Sequence, residues 1–427
     1  MLKRVYLKNG VSVIMNHMPH MESAAIGVWV AVGSENENKK ISGISHFLEH
    51  MIFKGTPARS TRKIKEEIEG RGGSLNGFTS EEITCYMAKV SGRHADIALR
   101  VLSDMVLYAR MHKKDIERER TVIIEEIKMY RDMPSHHVHD ILSEMLWPDH
   151  PLGLSVAGNI KSVEAITRED LITYKTANYG PVNITLVLCG NLKESESLMR
   201  EIEGIFTLKL KGKVAPAPPV NFVSEQTRPR VRIIYKDTEQ SHLSMGIHTF
   251  RRMHPDRYAL SLLHIILGAN MSSRLFENVR EKRGLAYEIG SEIKRYRTTG
   301  AFIVNAGIEH RNVPKAVSVI IKELKKIKSV PVPSMELKRA KEFFKVQLLL
   351  ALEDTLDHML WLGEHALLIG RLPDKNEIIR KIDSVTSDDL LRVAKLIFRD
   401  RKVNLAVIGP EKDKEKSEIE QELGELC

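Results

Sequence analysis

Short apolar runs alternate along this chain with longer amphipathic stretches, and their order recurs. Apolar positions at Val11 to Met15, Ala25 to Val32, Leu75 to Val90 and Ile184 to Leu188 predict strands. Apolar residues spaced three and four apart predict helices at Ile41 to Phe53, Thr61 to Glu69, Ala95 to Tyr108 and Lys114 to Tyr130. The second half follows the same plan. Strands are predicted at Arg230 to Tyr235 and His242 to Phe250, helices at Pro255 to Leu267 and Ser273 to Lys282, strands through Ala286 to Ile308, and a helix at Val313 to Ile327. An offset of roughly 215 residues sets Val90-Ser91-Gly92-Arg93-His94 against Ala306-Gly307-Ile308-Glu309-His310, and His50 against His264. Leu260 and Leu263 then stand where the first copy has His46 and Glu49, so only the first copy keeps the polar cluster.

Between the halves, Lys211 to Arg230 contains Ala215-Pro216-Ala217-Pro218-Pro219, which lacks backbone donors and favours an extended path. The expected division is therefore a first domain over 1–212, a linker over 213–229 and a second domain over 230–427. From Lys412 the chain is a charge run, expected to be a solvated or frayed end.

Length supports the same division, since 427 residues fit two cores of roughly 200 residues each. With 42% apolar and 28% charged residues the chain reads as globular. Neither a secretory leader nor a membrane span is expected, because no uncharged apolar stretch is long enough. Cys85, Cys189 and Cys427 are too scattered for a disulfide framework, which points to a reducing cytoplasm. The net charge of +9 comes from interleaved acids and bases without an aromatic and basic binding motif, so no nucleic-acid partner is expected. Scarce glutamine among abundant Lys, Arg and Glu hints at heat adaptation.

Composition says nothing of chemistry; His46-Phe47-Leu48-Glu49-His50 does. On a helix the two histidines lie four apart and the glutamate three after the first, so all three share one face. His at i and i+4 can direct ring nitrogens at one ion about 2.0–2.1 Å away, with the unligated Glu placed to take a proton from water. This H-x-x-E-H order is the inverted zinc-peptidase signature. In the predicted helix from Lys114 to Tyr130, Ile116, Glu119, Ile123, Glu126 and Tyr130 form one face by their 3-4-3-4 spacing. Two carboxylates interrupt an apolar seam there, which is costly unless a cation or basic partner meets them.

The segment Ser45-His46-Phe47-Leu48-Glu49-His50-Met51-Ile52-Phe53-Lys54-Gly55-Thr56 strongly resembles the zinc motif of the pitrilysin and insulysin peptidases, especially the mitochondrial processing peptidase β-type branch. The resemblance covers essentially the whole chain and implies two similar α+β domains, each a mainly antiparallel sheet with helices packed on one face. It implies one Zn2+ per chain held by His46, His50 and Glu126, with Glu49 as general base and Glu119 orienting a ligating histidine. Leu75-Asn76-Gly77-Phe78-Thr79-Ser80-Glu81-Glu82-Ile83-Thr84-Cys85-Tyr86 resembles the family's edge strand, which pairs with extended substrate through Asn76; Gly77 replaces the usual alanine.

Arg280-Glu281-Lys282-Arg283-Gly284-Leu285-Ala286-Tyr287 resembles the family's substrate-binding arginine and tyrosine pair, Arg280 and Tyr287. Relatives with four such domains enclose substrate in a chamber. A two-domain chain is expected to do so as a homodimer, each copy supplying Arg280 and Tyr287 to the zinc of the other. The implied activity is endoproteolysis of unfolded or presequence-like peptides; the alternative is a non-catalytic scaffold or regulatory subunit of the same fold. His136, His137 and His139, following Met133-Pro134, are expected in a loop or cap rather than a second metal site.

Overall fold

The structure is a computed structural model, and it describes residues 2–192, 195–209, 219–410 and 413–424. The chain forms two compact units, each assembled from separated segments. Unit 1 comprises Met1–Ile127, Leu154–Pro219 and Leu349–Pro373; unit 2 comprises Lys128–Gly153, Val220–Leu348 and Asp374–Cys427. This differs from the contiguous division expected from the sequence, because a piece of each half belongs to the other unit. Most of the expected linker, residues 211–218, lies outside the described residues.

Unit 1 is built on β1 (Leu2–Tyr6), β2 (Ser12–His17), β3 (Ser23–Val30), β4 (Ser74–Thr79), β5 (Thr84–Ser91) and β6 (Ile184–Gly190), in the spatial order β1-β2-β6-β3-β5-β4. All pairings are antiparallel except β2 with β6. Its helices are α1 (Ile44–Ile52), α2 (Thr61–Glu69), α3 (Ala95–Tyr108), most of α4 (Lys113–Asp132), and, past α5 (Pro134–Leu146), α6 (Ile160–Ala165), α7 (Arg168–Asn178) and α8 (Ser195–Lys209).

Unit 2 repeats the plan without the first hairpin strand. Strands β7 (Arg230–Tyr235), β8 (Ser241–Thr249), β9 (Ala286–Arg295), β10 (Gly300–Ile308) and β11 (Val403–Gly409) run in the order β7-β11-β8-β10-β9, and only β7 with β11 is parallel. Helices α9 (Arg257–Gly268), α10 (Val313–Ser329), α11 (Ser334–Ala351), α13 (Lys375–Ser384), α14 (Ser387–Ile397) and α15 (Asp413–Gly424) follow along the chain, with α12 (Thr355–Glu364) between α11 and α13. The two sheets thus share one topology, as the repeat predicts.

The expected helical layer covers one face of each sheet, and the opposite face carries one further helix. In β3, Ala24, Ile26, Val28 and Val30 face the core packed by α1 and α3, while Ala25 and Trp29 face the other way. On that second face Trp29, Cys85, Val187 and Cys189 pack against Met359 and Leu362 of α12. Burial on both faces explains why the β3 sequence reads as a continuous apolar run. In unit 2 the covering helix is α5, whose Val138, Ile141, Leu142, Met145 and Leu146 meet Ala301, Ile303, Ala406 and Ile408. Each sheet therefore takes its second cover from the other half of the sequence.

Two sequence expectations are corrected. Residues 134–146 are helical, with Pro134 in the first turn, where a missing N–H costs nothing, so His136, His137 and His139 lie on α5 and not in a loop. Part of the charged C-terminal run is the helix α15, which buries Ile419 and Leu423 in the unit 2 core.

Close approach of α12 to β3 depends on Gly363, where a Cβ would come within 2.2 Å of Trp29 Cε2. Gly363→Ala should destabilise unit 1 by roughly 1–3 kcal/mol through overpacking, read as a lowered urea midpoint; an unchanged midpoint would show that Trp29 can move aside freely.

Candidate metal centre

Helix α1 places the motif. Ile44, Phe47, Leu48, Met51 and Ile52 are buried on its inner side, which leaves His46, Glu49 and His50 half-buried on the other. Its N-terminus is anchored by Glu37, a buried carboxylate that accepts hydrogen bonds from the backbone N–H of Gly43 at 2.7 Å and of Ser45 at 2.8 Å. Burial pushes Glu37 up to about 7, against the lowering effect of those hydrogen bonds. The Ser45 hydroxyl meets Tyr174 Oη at 2.8 Å, tying the same turn to α7.

Helix α4 brings the third group. Glu126 Oε2 lies 3.6 Å from His50 Nε2 and 3.8 Å from His46 Nε2, and one donor atom from each residue falls within 4.8 Å of the others. Those separations are too long for hydrogen bonds. Two bonds of about 2.0–2.1 Å at a tetrahedral angle set ligand atoms about 3.3 Å apart, so the donors fit a zinc-sized ion. Two imidazoles and a carboxylate are also the donor set that zinc favours. Among the described residues no other such cluster of His, Cys, Asp or Glu occurs, and Cys85 and Cys189 are buried free thiols.

Burial and hydrogen bonding set the charge states of these groups. Burial, helped by neighbouring His50, holds His46 down at about 3, so its ring is neutral. His50 Nδ1 sits 3.2 Å from Glu119 Oε2, leaving Nε2 turned to Glu126. Burial raises Glu119, but its bonds with His50 and Lys54 and the charge of Lys54 outweigh that and hold it low. Glu49 stands outside this cluster; its Oε2 accepts from Thr79 Oγ1 at 3.0 Å, and burial raises it above the ordinary carboxylate range.

Thr79 ends β4, which among the described residues pairs only with β5 and forms one edge of the sheet. Asn76 and Gly77 lie on that strand, with Asn76 Oδ1 accepting from the Gly77 N–H at 2.8 Å. A Cβ at Gly77 would sit 3.1 Å from the Phe53 ring, a tight contact that the ring would have to relieve. Sequence reasoning gave no role to Glu37, Lys54 or Thr79. A search for buried acids near the motif could have raised Glu37, but nothing in spacing along the chain marks the other two.

In unit 2, Arg280 and Tyr287 come together. The Arg280 guanidinium carbon is 5.5 Å from the Tyr287 ring centroid and 4.8 Å from that of Phe276, and Tyr287 is 74% exposed. Arg280 belongs to a π-helical turn, Phe276–Glu281, and Tyr287 opens the edge strand β9. The counterpart of the motif is spent there. Leu260 and Leu263 are buried, and His264 Nδ1 is engaged with Ser291 Oγ at 2.8 Å.

Two histidines and a glutamate around a gap of ionic size, with a second glutamate beside them, match the arrangement expected of a metallopeptidase centre. The chain belongs to the insulinase family, peptidase family M16: residues 12–159 match that family and residues 165–344 match the "Peptidase M16 inactive domain". It is 36% identical over 411 residues to an uncharacterized zinc protease, YmxG, of Bacillus subtilis, covering 96% of this chain and 98% of that one. An uncharacterized zinc protease of Mycobacterium tuberculosis is 35% identical over 410 residues, covering 96% and 93%. In fold, the chain is similar to a protease from Helicobacter pylori, with a TM-score of 0.89 at 23% identity over 96% of this chain and 99% of that one.

Because Glu37 has a higher pKa folded than the ordinary 4.5 it would have unfolded, the unfolded chain gives up this proton first as pH rises. Its contribution to stability therefore falls between about pH 4.5 and pH 7, by up to about 3 kcal/mol. Glu37→Gln should lack this decline, so urea midpoints of the two proteins should move in the variant's favour as pH rises from 5 to 8. Parallel curves would sink the assignment.

Proposed function

We propose that this chain is a zinc-dependent endopeptidase of unfolded or extended peptides, binding one zinc through His46, His50 and Glu126. The observation that carries this reading is the three-way convergence of His46 Nε2, His50 Nε2 and Glu126 Oε2 with Glu49 alongside and free of the ligand set. When bound, zinc supplies a Lewis acid that polarises a carbonyl and acidifies water.

The chain's own groups do the rest. Glu49, steadied by Thr79, accepts the proton of the attacking water and returns it to the leaving amine. Burial raises Glu49 above the ordinary carboxylate range, which suits a group that must both take and give a proton. Glu119 fixes the ring of His50 through Nδ1. The free edge of β4 offers backbone donors and acceptors to an extended peptide at Asn76 and Gly77, a mode of binding largely indifferent to side chains. Arg280, half-buried, and the exposed Tyr287 beside it serve as the donors that grip the substrate backbone and stabilise the oxyanion.

In this reading the working form is a homodimer in the cytoplasm, each copy lending Arg280 and Tyr287 to the other's zinc. No helix among the described residues is long and apolar enough to cross a membrane. The scaffold alternative is disfavoured by the complete set of ligands and base, since a support subunit has no need of Glu49.

The test is cleavage of a mixed peptide library by zinc-loaded protein, with cut sites read by mass spectrometry. Glu49→Gln should lower the rate at least about 100-fold while metal analysis still finds zinc. Glu126→Ala should lose the zinc, and a chelator should silence the wild type until zinc is restored. Undiminished cleavage by the Glu49 variant would exclude this mechanism.

A further inference from the structure

Lys54 lies just past α1, its N–H bonded to Met51 O at 3.1 Å in the closing turn. Its Nζ reaches Glu119 Oε1 at 2.7 Å, while the other oxygen of the same carboxylate, Oε2, lies 3.2 Å from His50 Nδ1. The Glu119 side chain is 5% exposed and that of Lys54 27%, so this pair is screened less than a surface pair. We propose that Lys54 is a positioning residue of the metal centre, holding one oxygen of Glu119 so that the other is presented to His50 and His50 Nε2 is directed at the ion.

Two observations support this. A carboxylate can rotate about its terminal torsion, and a cation clamped on Oε1 restricts that rotation to orientations that keep Oε2 near the imidazole. Charge complementarity points the same way: Glu119 is a nearly buried carboxylate that meets His50 through one oxygen, and Lys54 is the cation that meets the other. Outer partners of this kind tune metal affinity through the ligand that they orient. The bland account is a lysine that merely favours the end of a helix and ties it to α4. That account predicts a change in folding stability and none in metal affinity.

The inference rests on the zinc reading above, and a double-mutant cycle separates the two. Zinc affinity is measured by competition with a chromophoric chelator for wild type, Lys54→Met, Lys54→Arg, Glu119→Gln and the Lys54→Met/Glu119→Gln double variant, and thermal unfolding is followed for each zinc-free protein. Glu119→Gln should weaken zinc binding by about 10- to 100-fold, and Lys54→Met by about 3- to 10-fold. The double variant should bind as Glu119→Gln does, and Lys54→Arg should recover most of the loss. If Lys54→Met folds poorly, Lys54→Gln replaces it in the cycle. Unchanged zinc affinity in the Lys54 variants, with or without a lowered unfolding temperature, would overturn the inference. So would a loss that adds in full to that of Glu119→Gln. A wild type that binds zinc no better than His46→Ala would instead overturn the metal centre itself, and the inference with it.

Discussion

Negative charge gathered on poorly hydrated ground is the constraint that organises unit 1. Glu49, Glu119 and Glu126 approach two imidazoles, one of which, His46, is held neutral by burial. Carboxylates so placed stay ionised only where cations or donors meet them. The neighbourhood supplies these one by one: Thr79 for Glu49, Lys54 and His50 for Glu119, and a cation-sized gap before Glu126. The surrounding fold serves to keep α1 and α4 in the relation that makes this possible, with Ile116 and Ile123 of the α4 seam buried beside the apolar side of α1.

Much of this was legible because it is local. His46, Glu49 and His50 declare their common face through spacing alone, and so does the seam of Ile116, Glu119, Ile123 and Glu126. The family resemblance then assigned the ligand and its supporter. What spacing could not show is contact between distant segments. Lys54 and Glu119 are far apart in sequence, as are Thr79 and Glu49, and no periodicity couples them. The same holds for α12 beneath β3, since an amphipathic helix does not announce which sheet it will cover. The α15 helix escaped notice for another reason: Ile419 and Leu423, one helical turn apart, are outnumbered by charged neighbours. His136 to His139 were misplaced because Pro134 reads as a breaker, although proline is at home in a first turn.

The repeat clarifies how one plan carries two kinds of chemistry. Both units keep the same strand order and a helix at the corresponding place, α1 and α9. In α1 the outward positions are two histidines and a glutamate that face Glu126. In α9 two of them are leucines packed into the core, and the surviving histidine is bound to a serine on β9. Unit 2 lacks that polar set, and in it the half-buried Arg280 lies over the ring of the exposed Tyr287 on its edge strand.

The reciprocal placement of α5 and α12 bears on biosynthesis. A ribosome delivers all the strands of unit 1 long before Met359 and Leu362, so one face of that sheet, with Trp29, Cys85 and Cys189, waits uncovered while most of the polypeptide is still being made. Helix α5, conversely, emerges before the sheet that it will cover exists. Each half of the sequence therefore lacks the helix that covers the second face of its own sheet, and those apolar faces are closed only once both halves have been made.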